Sequence, residues 1–178
     1  MKILTWILKT LGPRRIALCF MAVYAFWLVV AYRYHFVDNV NLLIHEAGHL
    51  VFSPFGETLG MLGGTVLQLF FPLAFVGYFW KRTQRFEAAV CGLWSAESFM
   101  YTAEYMADAN ALALPLVGGH IHDWRWFFER RGVLESAEEI GLALHVIASL
   151  AAIVIVWAAA RAETASAAVE TAQSESTE

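Results

Sequence analysis

A run of 23 residues without a charge, Thr58 to Trp80, constrains this chain more than any other feature. As a helix it would be about 35 Å long, enough to cross the ~30 Å hydrocarbon core of a bilayer. A helix is also one of the few structures that satisfies its own backbone hydrogen bonds in lipid. Lys81, Arg82 and Arg85 close the run as an interfacial boundary would. A second uncharged run covers the 21 residues Ile140 to Ala160. A third, Ile16 to Tyr32, follows Lys9, Arg14 and Arg15. Its late onset favours an uncleaved anchor over a signal peptide cut after Val29-Val30-Ala31.

Two further apolar stretches are less pure. Asp38 to Phe55 carries two His and a Glu, and Phe86 to Ala109 is interrupted by Glu97, Glu104 and Asp108. Together these segments predict an all-α, polytopic membrane protein with about five transmembrane helices, whose two ends lie on opposite sides. Residues 1–160 form a single helical membrane domain. From Arg161 the chain turns to Ala, Ser, Thr and Glu, which predicts a disordered acidic tail over 161–178.

Composition agrees, with 59% hydrophobic and only 16% charged residues, where a soluble domain carries about 25% charge. No Lys/Arg cluster points to nucleic acid. Cys19 and Cys91 lie in apolar stretches and read as small hydrophobes. The five-span count gives little sidedness. Lys2, Lys9, Arg14, Arg15, Arg125, Arg130 and Arg131 fall on one side, against Arg33, Lys81, Arg82, Arg85 and Arg161 on the other.

The chemistry sits in His45-Glu46-Ala47-Gly48-His49. Two His four residues apart share one helical face, one turn apart, so both imidazoles can reach one Zn²⁺. Glu46 stands about 100° round the helix, where its carboxylate can act as general base on a water at the metal. Chance produces this pattern in roughly one of a hundred such chains. Ionisable residues inside an apolar segment usually mark function.

A zinc site needs a third ligand, and two regions offer one. Glu97, Tyr101, Glu104 and Asp108 recur at spacings of four, three and four, which places them on one helical stripe. Asp108 is a candidate ligand there, and Glu97 and Glu104 are candidates for orienting a ligating His from behind. The other region is Gly118-Gly119-His120-Ile121-His122-Asp123-Trp124. His122 is the expected third ligand, with Asp108 and Asp123 as alternatives. Trp124 and Trp126 read as headgroup-level anchors, and a lone His145 as a packing residue.

These motifs resemble the site-2 protease family of intramembrane zinc metalloproteases over roughly residues 38–124. His45-Glu46-Ala47-Gly48-His49 matches that family's two zinc ligands and general base. Gly64-Thr65-Val66-Leu67-Gln68 has the spacing of its Gly-Pro-x-x-Asn element, which implies that Gly64 and Gln68 lie near the substrate. Asn110 through Leu114-Pro115-Leu116-Val117-Gly118-Gly119 matches the segment that supplies the family's third ligand, an Asp. Val117 stands in that place and cannot bind metal.

The resemblance implies a divergent member that hydrolyses peptide bonds of membrane-anchored protein or peptide substrates, in contact with lipid, in a bacterial inner membrane. The Val117 departure leaves a non-catalytic zinc-binding or partner-binding protein as the alternative. A channel lined by the carboxylate stripe stands third.

Overall fold

The computed structural model describes residues 2–117 and 121–175, with side chains from residue 12 to residue 165. Its regular elements are helical: α1 (Lys2–Ala31), α2 (Phe36–Phe52), α3 (Glu57–Lys81), α4 (Arg85–Ala107), α5 (Asp123–Arg131) and α6 (Ala137–Glu175). Short 3-10 turns at Ser53–Phe55 and Leu134–Ser136 lead into α3 and α6. Gly12, at φ 70, and Pro13 break α1.

Three helices are long and apolar enough to cross a membrane: Gly12–Ala31, Glu57–Lys81 and the stretch Leu134–Ala165. The other two expected spans fall short. The α2 helix has only 17 residues, and α4 carries Glu87, Glu97 and Glu104. The expected tail also differs, because α6 runs unbroken past Arg161 to Glu175. Alanine has the highest helix propensity of any residue, and the alanine-rich composition continues α6 where its Ser, Thr and Glu content predicted disorder.

Contacts between helices fix their directions. Arg14 at the start of the α1 span bonds Glu87 at the start of α4, 3.2 Å away. Further along, Met21, Ala25 and Leu28 bury themselves with Leu93, Ala96 and Met100, so α1 and α4 run parallel. The α2 helix follows the same direction, since Asn41 bonds Glu97 and the His45 ring lies beside that of Tyr105. The α3 helix runs back, with Gln68 against Ser98 and Thr102 and Phe71 and Phe75 against Trp94. The α6 helix does too, with Gly141 against Ala103 and Ala107 and Ile155 against Gly92.

Two consequences follow. The start of the α1 span, the end of α3, the start of α4 and the distal part of α6 share one end of the bundle. The sequence had led us to expect the chain ends on opposite sides. The link from α2 to α3, together with α5 and the start of α6, forms the other end, where Arg130 and Trp126 both bond Glu57.

The tightest helix contact is between α2 and α3. A Cβ on Gly48 would lie 2.8 Å from both the Gly63 carbonyl carbon and the Gly64 Cα. Such approach of small residues is what helices use to pack where no hydrophobic force separates protein from lipid. It also draws α2 deep enough against α3 to set its His residues on the α3 backbone.

Candidate metal centre

His45 and His49 lie one turn apart on α2, with ring centroids 4.8 Å apart. Each ring is held from behind by an acceptor on α3. The His45 Nδ1 donates to Gln68 Oε1 at 3.0 Å, and His49 Nδ1 donates to the Gly60 carbonyl at 2.7 Å. The amide end of Gln68 is itself fixed, because its Nε2 donates to Ser98 and Thr102 on α4. The oxygen of Gln68 is therefore the end that faces His45, and the Nδ1 proton is assigned with it.

With Nδ1 of both rings protonated, both Nε2 atoms carry lone pairs, and they point at one carboxylate. Asp123 Oδ2 lies 2.9 Å from His45 Nε2 and 3.2 Å from His49 Nε2. Three electron-rich atoms thus face one another in a buried place, with His45 5% and Asp123 5% exposed. Such a group needs a positive charge among its members, supplied either by ring protons or by a cation. Where ring protons supply that charge, burial pushes the Asp123 carboxyl up, but hydrogen bonds from the protonated His45 and His49 outweigh it and hold the group below the usual carboxylate range.

Nothing fills the space on the far side by accident. A Cβ at Gly64 would sit 2.5 Å from His45 Nε2 and 2.7 Å from His49 Nε2. Gly64 therefore backs the convergence point itself. Beside it opens a cavity of about 800 Å³, lined by Glu46, Tyr101, Glu104 and Tyr105, and by the non-helical segment Leu114 to Val117. Glu46, on the turn between the two His, faces this cavity and makes no hydrogen bond or ion pair among the described residues.

His122, the expected third ligand, does not join the cluster. It is the residue that caps α5, and its Nδ1 accepts the Arg125 N–H. The ring stacks on Tyr105 at 4.0 Å, and its Nε2 turns toward Asp108, 3.7 Å away. A capping side chain bends back over its own helix, whereas the next residue, at the first helical position, projects outward. That is why Asp123 and not His122 reaches the imidazoles. Asp108 is also occupied elsewhere, accepting the N–H groups of Ala113 and Leu114.

Gln68 and Gly64, expected beside the substrate, stand behind and against the imidazoles instead. Glu97, expected to support a zinc ligand, lies in a separate buried network: Asn41 donates to both its oxygens, and Asp38 accepts from Tyr32 nearby. Its partners are on α2 but do not include His45. Glu104 lines the cavity without touching either imidazole. Val117 faces the cavity too, while Gly118, Gly119 and His120 lie outside the described residues. Trp124, expected at headgroup level, packs with Phe127 and Phe128 against Met106 and Ala109. Trp126 is half-buried, with the Arg130 guanidinium over its ring, and His145 packs edge-on to Tyr32.

Sequence reasoning missed Gly60, whose carbonyl orients His49. No side-chain signal marks a backbone acceptor, so only the path of α3 could reveal it. Comparisons of the chain with protein-family models, with curated proteins and with solved structures find no match. What stands is a helical protein with three membrane-length helices and a His-His-Asp cluster, its His45 and Asp123 buried and its His49 half-buried, able to hold a metal ion.

Proposed function

We propose that this chain is a zinc-dependent intramembrane metallopeptidase, a divergent relative of the site-2 protease family. One observation carries the reading: His45, His49 and Asp123 converge through lone-pair atoms, with each imidazole fixed from behind by an oxygen acceptor. Ligating His residues almost always donate their other ring N–H in this way, to a carboxylate, a carbonyl or water. Two His and one carboxylate with an open side is a donor set of catalytic zinc sites, whereas structural zinc takes four protein ligands. Zinc bound there would supply Lewis acidity, polarising a carbonyl and lowering the pKa of water toward ~7.

The protein's own groups do the rest. Glu46, with no hydrogen-bond partner among the described residues and facing the cavity, accepts the proton of the attacking water and returns it to the leaving amine. Gln68 and Gly60 hold the two imidazoles in one tautomer. The non-helical segment from Leu114 to Val117 walls the cavity and offers an opened peptide a surface to lie along, since a helical substrate must unwind before its amide is accessible.

The short α2 and the acid-bearing α4 lie within the bilayer on this reading. The α1 and α2 helices run the same way in series and together make one transit, so the bundle crosses four times. The membrane is that of a bacterial cell, and the substrate is a membrane-anchored protein or peptide.

The decisive experiment pairs metal content with cleavage of membrane-anchored peptides by the purified chain. Glu46→Gln is expected to keep zinc and lose turnover by about 10²-fold or more. Wild type that stays metal-free after zinc is supplied, or a variant that cleaves as well as wild type, would refute the mechanism. Zinc binding without cleavage of any peptide would instead favour a non-catalytic metal-binding role.

A further inference from the structure

At the end of the bundle away from the His-His-Asp cluster, α3, α4 and α6 leave a groove of about 820 Å³ between them. Its walls are apolar, including Leu73, Val76, Phe99, Ile147 and Ile155. Its mouth is not. Arg14, Arg82 and Arg85 reach it, with Glu87 and Glu163 as the opposing charges. Arg14 is committed to Glu87 at 3.2 Å.

Arg82 and Arg85 are held differently. Arg82 lies over the Tyr78 ring at 4.7 Å, and Arg85 over the Trp80 ring at 3.6 Å. Neither meets a carboxylate among the described residues. A guanidinium held over an aromatic ring is steadied by it while its N–H groups stay available for bidentate binding of a phosphate. At 161 the same pattern recurs, with Arg161 over Trp157 at 5.4 Å. Arginine and aromatic pairs at this level mark the headgroup zone.

We propose that this groove is a binding site for an anionic phospholipid, with its phosphate on Arg82 and Arg85 and an acyl chain along the apolar walls. The polarity of the groove selects the occupant. It needs one anionic group at one end of a long hydrocarbon body, and a phospholipid has that form. A helix laid there would have to bring a carboxylate to the one level where the two arginines stand. An empty apolar groove beside lipid would forfeit the contacts of its lining atoms. The proposal is independent of the peptidase reading, since no residue of the His-His-Asp cluster takes part.

Native mass spectrometry of the detergent-purified full chain tests it, with palmitoyl-oleoyl phosphatidylglycerol and phosphatidylcholine as probes. Wild type is expected to retain the phosphatidylglycerol about tenfold better, in keeping with the attraction of an anionic headgroup to each nearby arginine. The double variant Arg82→Gln/Arg85→Gln should bring the two lipids to near parity while its zinc content stays that of wild type. Arg131→Gln at the opposite end should leave the preference intact. Equal retention of both lipids by wild type would overturn the proposal. So would an undiminished preference in the double variant, or a loss of equal size in Arg131→Gln.

Discussion

Asp123 and His122 are neighbours in sequence and do different work in space. Asp123 faces His45 and His49 at 2.9 and 3.2 Å, while His122 caps α5. Asp123→Ala is therefore expected to drop zinc from about one per chain to near zero, as three-ligand sites do when a ligand is lost. His122→Ala should keep zinc and lose stability by about 0.5–2 kcal/mol, the range for a lost helix cap. Metal analysis and thermal unfolding on the two variants check both, and zinc loss in His122→Ala alone would reverse the assignment. Gly64 makes a sharper test, because the methyl group of Gly64→Ala would fall 2.5 Å from His45 Nε2. Zinc affinity in that variant should fall at least as far as for loss of a supporting residue, roughly 10–100-fold. A competition titration with a zinc chelator measures it.

At the scale of elements, the α2–α3 pair sets the site. The two helices touch at Gly48 against Gly63 and Gly64, and that approach puts Gly60 and Gln68 behind the two rings. Gly48→Val would force the helices apart. Overpacking of this kind costs about 1–3 kcal/mol. Here it should also weaken zinc, since the acceptors on α3 would retreat from the rings on α2. The expected outcome is a lower unfolding temperature together with reduced metal retention, and full zinc retention would show that the pair is not rigidly coupled. The carboxylate stripe of α4 divides among three separate environments. Glu97 goes to Asn41, Glu104 to the cavity and Asp108 to the Ala113–Leu114 backbone.

For the whole molecule, the parallel course of α1, α2 and α4 gathers the cations. Arg14, Arg15, Lys81, Arg82, Arg85 and Arg161 share the end where the α1 span begins. Toward the α5 end lie Arg33, just after α1, and Arg125, Arg130 and Arg131, beside Glu57, Glu129, Glu135, Glu138 and Glu139. Six described cations at the first end against four at the other is a modest excess, and the rule that basic ends stay in the cytoplasm makes the end where the α1 span begins the expected cytoplasmic one. The His-His-Asp cluster should open toward the outside. Single cysteines check this in a background with Cys19 and Cys91 replaced by Ser. Glu135→Cys should react with an impermeant maleimide on intact cells, and Gln84→Cys only after permeabilisation. The reverse pattern would sink the orientation.

The sequence by itself determined that the chain is helical and rich in apolar stretches, of which three rather than the expected five form membrane-length helices, and that His45, Glu46 and His49 share a face. Each of these follows from local periodicity, and the α-helix converts spacing directly into geometry. Tertiary structure alone decided the third member of the cluster, the role of Gly64, the carbonyl behind His49 and the end at which the cations gather. Those depend on contacts between segments far apart in the chain, such as His45 with Asp123, and on which of two adjacent side chains a helix start turns outward. Spacing along one helix carries no information about either.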